Sequence, residues 1–157
     1  MAQLLEEREA RRKTRLLETI QNAVRAKRFT PDVVAAYAAL LLTQDDGTPI
    51  QPAAHHWLWL TLLCDARIKK LLIVAPPESA KTTWTISAYL GCKIGFFPEA
   101  SFIIGSSDGN TAKKRSLSLR TMTENAEWRE TFPHVLPAQG MTWDSMTWSL
   151  APYGMPS

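Results

Sequence analysis

The sequence predicts an α/β fold: a parallel sheet flanked by helices, incomplete, behind an N-terminal helical segment. Three observations predict it. Leu71-Leu72-Ile73-Val74-Ala75 is a short, continuously apolar run of the kind a strand buried on both faces needs. Ser101-Phe102-Ile103-Ile104-Gly105-Ser106-Ser107 is a second such run. Between them, Pro76-Pro77-Glu78-Ser79-Ala80 breaks the first run, and Lys81-Thr82-Thr83-Trp84 opens an apolar helical stretch to about Phe97, closed by Pro98 and Glu99. Strand, loop, helix, strand and helix in that order imply a right-handed crossover.

The elements around this unit follow from local signals. Residues 3–28 contain good helix formers without Gly or Pro, with a partial apolar stripe at Leu4, Leu5, Leu16, Leu17, Ile20, Ala23 and Val24. Thr30-Pro31-Asp32 reads as a helix start, Thr30 as cap and Pro31 at the first helical position, with the helix running to about Leu42. Residues 44–49 are rich in turn formers. A third helix is expected over residues 53–66, carrying His55, His56, Trp57, Trp59 and Leu62. Asp108 is placed to cap a helix reaching about Asn125, and residues 143–150 read as a strand left near an unfinished edge.

Composition narrows the class. The chain has 157 residues, 45% apolar and 21% charged, which suits one folded domain with a helical appendage and argues against wholesale disorder. Six Trp suggest several core anchors, though exposed Trp could also stack on bases. The net charge of +3 is unevenly placed: residues 1–28 carry +4 and the remainder −1. A basic helix can touch nucleic acid or an acidic partner, and it can equally be a solvated face. Cys64 and Cys92 lie 28 apart in apolar surroundings, without metal or redox spacing, and read as free thiols in a reducing compartment. His55-His56 lacks a third ligand at a fitting spacing, so a helix face packed beside Trp57 and Trp59 is the simpler reading; His134 stands in a loop with no visible partner. The charged start and the lack of a long apolar run predict a cytoplasmic protein with no membrane partner.

The chemistry sits in the loop. A phosphate-binding P-loop has the pattern G-x-x-x-x-G-K-[ST] between strand and helix. Here the spacing is kept without the glycines: Ala75-Pro-Pro-Glu-Ser-Ala80-Lys81-Thr82. A triphosphate needs convergent backbone N–H groups at the positive end of a helix. Pro76 and Pro77 cannot donate, so the donors must be Ser79, Ala80, Lys81, Thr82 and Thr83. Lys81 is placed to reach the outer phosphates as the candidate catalytic residue, and Thr82 to offer its hydroxyl to Mg²⁺. The Glu78 carboxylate repels phosphate unless it turns to solvent or to a cation. The alternative is a capped helix start in an ordinary α/β protein.

Several ordered pieces resemble the large subunit of tailed-phage terminases, the ATP-driven motors that package DNA into procapsids. They are His55-His56-Trp57 upstream of the loop, Pro-Pro-x-x-x-Lys-Thr at residues 76–82, and Ile94-Gly95-x-x-Pro98. Ser106-Ser107 follows, with Ala112 and Lys113-Lys114-Arg115 on the next helix. Asn125-x-x-Trp128-Arg129 leads into Phe132-Pro133, and Trp143 and Trp148 come last. The resemblance covers roughly residues 49–150. It implies residues 1–47 as a helical segment and 48–157 as the front part of a P-loop ATPase domain, with ATP and Mg²⁺ as cofactors. It aligns Lys81 and Thr82 with the phosphate and magnesium residues and Ser79, Ala80 and Thr83 with the loop backbone. Glu78 stands where many members carry an Arg implicated in ATP handling. Gln51 lies in the region of an adenine-contacting segment. Arg115 or Arg120 could serve as an arginine finger, or be a solvated face. The implied partners are double-stranded DNA, a terminase small subunit, a portal and a homo-oligomeric ring, in the host cell cytoplasm if the gene is phage-encoded.

Hydrolysis also needs an acidic residue on a later strand, and nothing after Leu117 supplies one; the family's nuclease carboxylates are missing as well. The expectation is therefore the ATP-binding portion of such a motor. The alternatives are a helicase-like P-loop ATPase fragment and a non-catalytic module that binds DNA or a partner through the basic first helix.

Overall fold

The computed structural model describes residues 1–138 and 147–152. The chain divides into two units, residues 1–89 and 90–157, the boundary falling inside one continuous helical stretch, residues 81–96.

In the first unit, α1 (Ala2–Arg25) packs on α2 (Pro31–Leu41), and α2 on α3 (Ala54–Cys64). Ile20 and Ala23 of α1 meet a core made of Val33, Val34, Tyr37 and Ala38 of α2, with Leu60, Trp84 and Ala88 also buried. α1 stops three residues earlier than its composition suggests. Lys27 takes φ 52°, its N–H donates to the Val24 carbonyl (2.9 Å), and the Arg28 N–H donates to the Ala23 carbonyl (2.9 Å). This is a Schellman ending with Lys in the left-handed position that Gly usually fills. Thr30 caps α2 from the expected position and Pro31 is its first residue, although the Thr30 hydroxyl makes no capping bond. Residues 44–48 turn tightly: Asp46 Oδ1 accepts from the Thr48 N–H (2.9 Å) and hydroxyl (2.6 Å), and Gly47 takes φ +78°.

After α3 the chain runs without regular structure to Lys81. It then forms a wide π-helical segment, Thr83–Leu90, continuing as α4 (Gly91–Phe96). Tyr89 ties this segment to α3 by donating its hydroxyl to the Leu63 carbonyl (2.9 Å), and its ring meets Phe29 edge-on at 5.6 Å.

In the second unit, α5 (Gly109–Glu124) starts where the sequence places it. The Asp108 carboxylate accepts from the N–H groups of Asn110 (3.2 Å) and Thr111 (2.9 Å) and from the Thr111 hydroxyl (2.8 Å). Those bonds, the Thr111 hydroxyl first, hold its carboxyl below the usual carboxylate range. Asp108→Ala is expected to lower Tm by a few degrees and to fray the first turn of α5, read by circular dichroism. α6 (Ala126–Thr131) follows, capped by Asn125 Oδ1 on the Glu127 N–H (2.8 Å). β1 (Val135–Pro137) and β2 (Leu150–Pro152) pair antiparallel, with Leu136 opposite Ala151. Of the strand expected at residues 143–150, Leu150 lies in β2, while residues 143–146 lie outside the described residues.

The predicted parallel sheet is not formed. The described residues are mostly helical (58%), and the sheet among them is the antiparallel β1–β2 pair. Residues 71–75 and 101–107 join no strand, and their N–H groups have no backbone partner among the described residues. Side-chain exposure alternates along both runs. Leu72 (85%) and Val74 (86%) flank a half-buried Ile73, and Ile103 (97%) stands between half-buried Phe102 and Ile104. Period-two exposure marks extended chain covered on one face only. The local composition favours extended backbone, but the neighbour that completes a ladder is a non-local requirement that no short run contains.

Candidate functional site

The predicted loop residues lie together where the irregular chain enters the helical stretch 81–96. Glu78 and Ala80 both take left-handed backbone, φ 62° and 52°. Ala80 occupies the position where the usual loop has Gly, and it adopts the conformation Gly is favoured for, against the penalty its Cβ incurs. Left-handed residues in a turn are the backbone from which anion-binding nests of successive N–H groups are built. Among the described residues the N–H groups of Ser79, Ala80, Lys81, Thr82 and Thr83 donate to no acceptor; the first bonded amide is that of Trp84, on the Ala80 carbonyl at 3.0 Å. These five are the donors the sequence nominates.

Lys81 folds back over the loop and its Nζ donates to the Ala75 carbonyl at 3.4 Å. That contact is long, so the ammonium can leave it for a stronger acceptor. The Thr82 side chain is half-buried and its hydroxyl makes no hydrogen bond among the described residues. The Glu78 side chain is exposed, which removes much of its repulsion toward a bound anion. Ser79 Oγ is buried without a partner. Gln51 is exposed and has no hydrogen bond to the loop. Arg120 lies on α5 beside Glu124 (3.8 Å), and Arg115 is exposed there.

The sequence reading missed what supports the loop. His56 is 7% exposed, its ring stacks on Trp84 (centroids 5.0 Å apart, 25° between planes), and it meets Trp59 edge-on at 5.2 Å. Its Nδ1 accepts from the Ala53 N–H (3.0 Å), and its Nε2 lies 3.0 Å from the Ser79 carbonyl. A polar side chain three residues after a helix cap, able to reach back to the cap N–H, was the available signal. Burial holds the His56 pKa below the ordinary 6.5, outweighing the Ser79 hydrogen bond that favours the charged form; the neighbouring His55 ring adds to the lowering. A depressed histidine pKa means that the unfolded chain takes up the proton first, so stability is whole above about 6.5 and declines as pH falls below it. Urea unfolding followed by Trp fluorescence is expected to show this decline in the wild type. The His56→Phe chain is expected to lack this part of it, whatever its carboxylates contribute.

Elsewhere the second unit holds a mainly apolar cavity of about 690 Å³ between residues 98–104, α5 and β2, lined by Ile94, Phe102, Leu119, Trp148 and Leu150 among others. Trp148 Nε1 donates to Ser116 Oγ (3.0 Å) in its wall. Gly95 lies against the Phe132 ring, and His134, which the sequence leaves without a partner, meets the Gly95 carbonyl through Nε2 at 3.1 Å. Among the described residues no three His, Cys, Asp or Glu side chains gather as a metal site, and no helix is long and apolar enough to cross a membrane. Comparison of the chain with protein-family models, with curated proteins and with solved structures gives no match.

Proposed function

We propose that residues 75–83 bind the phosphates of a nucleoside triphosphate, and that the chain is the ATP-binding portion of a DNA-packaging motor of the terminase large-subunit kind. The observation that carries the reading is the row of five N–H groups, 79–83, with no acceptor among the described residues, in a loop where Glu78 and Ala80 are left-handed. An anion at this point gains directed donors together with the positive end of the helical stretch. Lys81 would trade its long bond to Ala75 for a phosphate oxygen. The Thr82 hydroxyl fits Mg²⁺, which is commonly held by one or two protein oxygens beside phosphates and water; bound there, the ion would offset phosphate charge. The reading depends on the loop itself and needs no parallel sheet behind it. In such a motor the partners would be double-stranded DNA, a small subunit, a portal and further copies in a ring, in the host cytoplasm. Calorimetry of the folded chain with Mg-ATP tests the loop: saturable binding at one site is expected, and a folded chain that takes up none overturns the reading.

A second reading, a DNA-binding module, draws on α1. Residues 3–11 are exposed throughout, and Arg8 and Arg15, seven apart on one helix face, have no ion pair among the described residues, whereas Arg11 and Arg12 pair with Glu7 and Glu9. Unpaired arginines along one face suit DNA phosphates. If α1 binds DNA, replacing both by Ala reduces the slope of log affinity against log salt by about 1 per residue. An unchanged slope removes α1 from the interface.

A further inference from the structure

We infer that His56 is the positioning residue of the loop, its Nε2–H clasping the Ser79 carbonyl so that the N–H groups beyond it face outward as phosphate donors. The inference rests on the reading of residues 75–83 as a phosphate-binding loop.

The tautomer follows from the contacts. Nδ1 lies 3.0 Å from the Ala53 N–H, which can only donate, so Nδ1 must present its lone pair. A neutral imidazole carries one proton, which leaves it on Nε2. There it meets the Ser79 carbonyl at 3.0 Å, a group that can only accept. Both contacts are satisfied by this tautomer and by neither the other tautomer nor the imidazolium.

The clasp has a defined consequence for the loop. The Ser79 carbonyl and the Ala80 N–H belong to one planar trans peptide and point in opposite directions. Drawing the carbonyl toward α3 therefore turns the Ala80 N–H away from it. The same hold supports the left-handed backbone on either side, at Glu78 and Ala80, neither of which is Gly. The ring cannot readily swing out, because Trp84 and Trp59 flank it. Trp84 belongs to the helical stretch that the loop opens into, so one imidazole contacts the loop at residue 79 and that helix at residue 84.

Two variants separate packing from the hydrogen bond. His56→Phe keeps a ring beside the tryptophans and loses both polar contacts, whereas His56→Gln has an amide that can donate to the Ser79 carbonyl. The reporters are the imidazole ¹⁵N spectrum, hydrogen exchange at the Trp84 amide, which closes the first helical bond onto Ala80, and Mg-ATP affinity. At neutral pH the wild type is expected to show a bare Nδ1 and a protonated Nε2. Exchange at Trp84 is expected to speed up roughly tenfold in His56→Phe, the size of one lost hydrogen bond, and to return toward wild type in His56→Gln. Mg-ATP affinity is expected to weaken in the same order. A proton on Nδ1, unchanged exchange in His56→Phe, or a Gln variant as fast as Phe would overturn the clasp. A wild-type chain that binds no Mg-ATP fails the nucleotide reading instead, and the tautomer and exchange then decide the clasp alone.

Discussion

Lys81→Ala is expected to weaken Mg-ATP binding roughly tenfold to a hundredfold, the range for losing a charge-assisted contact to phosphate, while leaving the far-ultraviolet dichroism unchanged. The fold should tolerate the change. The Nζ makes one protein hydrogen bond, a 3.4 Å contact to a backbone carbonyl, and the residue sits in the first turn of its helical stretch, where Ala is at least as good a helix former. The loss should also be specific. If the N–H groups of residues 79–83 carry part of the binding, the variant retains weak affinity that falls with added salt. Lys81→Arg is a sharper companion, because a guanidinium is a planar fork and not a compact point charge, and it should rescue only in part. Equal affinity in the wild type and Lys81→Ala would place any nucleotide elsewhere on the chain.

Gly95→Ala is expected to destabilise the second unit by about 1–3 kcal/mol, the usual range for overpacking a close contact. A methyl at this position would lie 2.5 Å from Cγ and Cδ2 of Phe132. The ring cannot move aside cheaply, since Phe132 is fully buried, with Trp128 at 4.9 Å and Phe96 at 6.1 Å. The backbone cannot easily move either, because the Gly95 carbonyl holds the His134 ring. Urea unfolding followed by Trp fluorescence reads the loss. Phe132→Leu in the Gly95→Ala background should recover part of it, as a smaller side chain relieves the clash. This cluster also gives a packing reason for Gly95, Trp128 and Phe132, residues far apart in the chain that the fold gathers at one place.

What could be read from the sequence was what local chemistry decides. Asp108 caps α5 and Pro31 opens α2 because a cap needs only the next three residues, and both lie where the sequence puts them. The N–H groups left without acceptors among the described residues were legible for the same reason: two prolines remove the N–H groups before Glu78, and a helix start leaves those after it unpaired. Features set by distant neighbours were not legible. Residues 71–75 and 101–107 have strand composition without a partner strand among the described residues, which are mostly helical in place of the expected parallel sheet. His56 reaches 23 residues along the chain to Ser79, and His134 reaches back 39 to Gly95, and no spacing rule connects either pair. The end of α1 was hidden differently, because Lys27 fills a position usually signalled by Gly.

The most direct test of the central claim is a ¹H–¹⁵N correlation titration of the chain with Mg-ATP. The account predicts saturable shifts concentrated at the amides of Ser79, Ala80, Lys81, Thr82 and Thr83, which in Lys81→Ala need roughly tenfold to a hundredfold more nucleotide. Unmoved amides at 79–83, or shifts confined to the basic residues of α1, would contradict it.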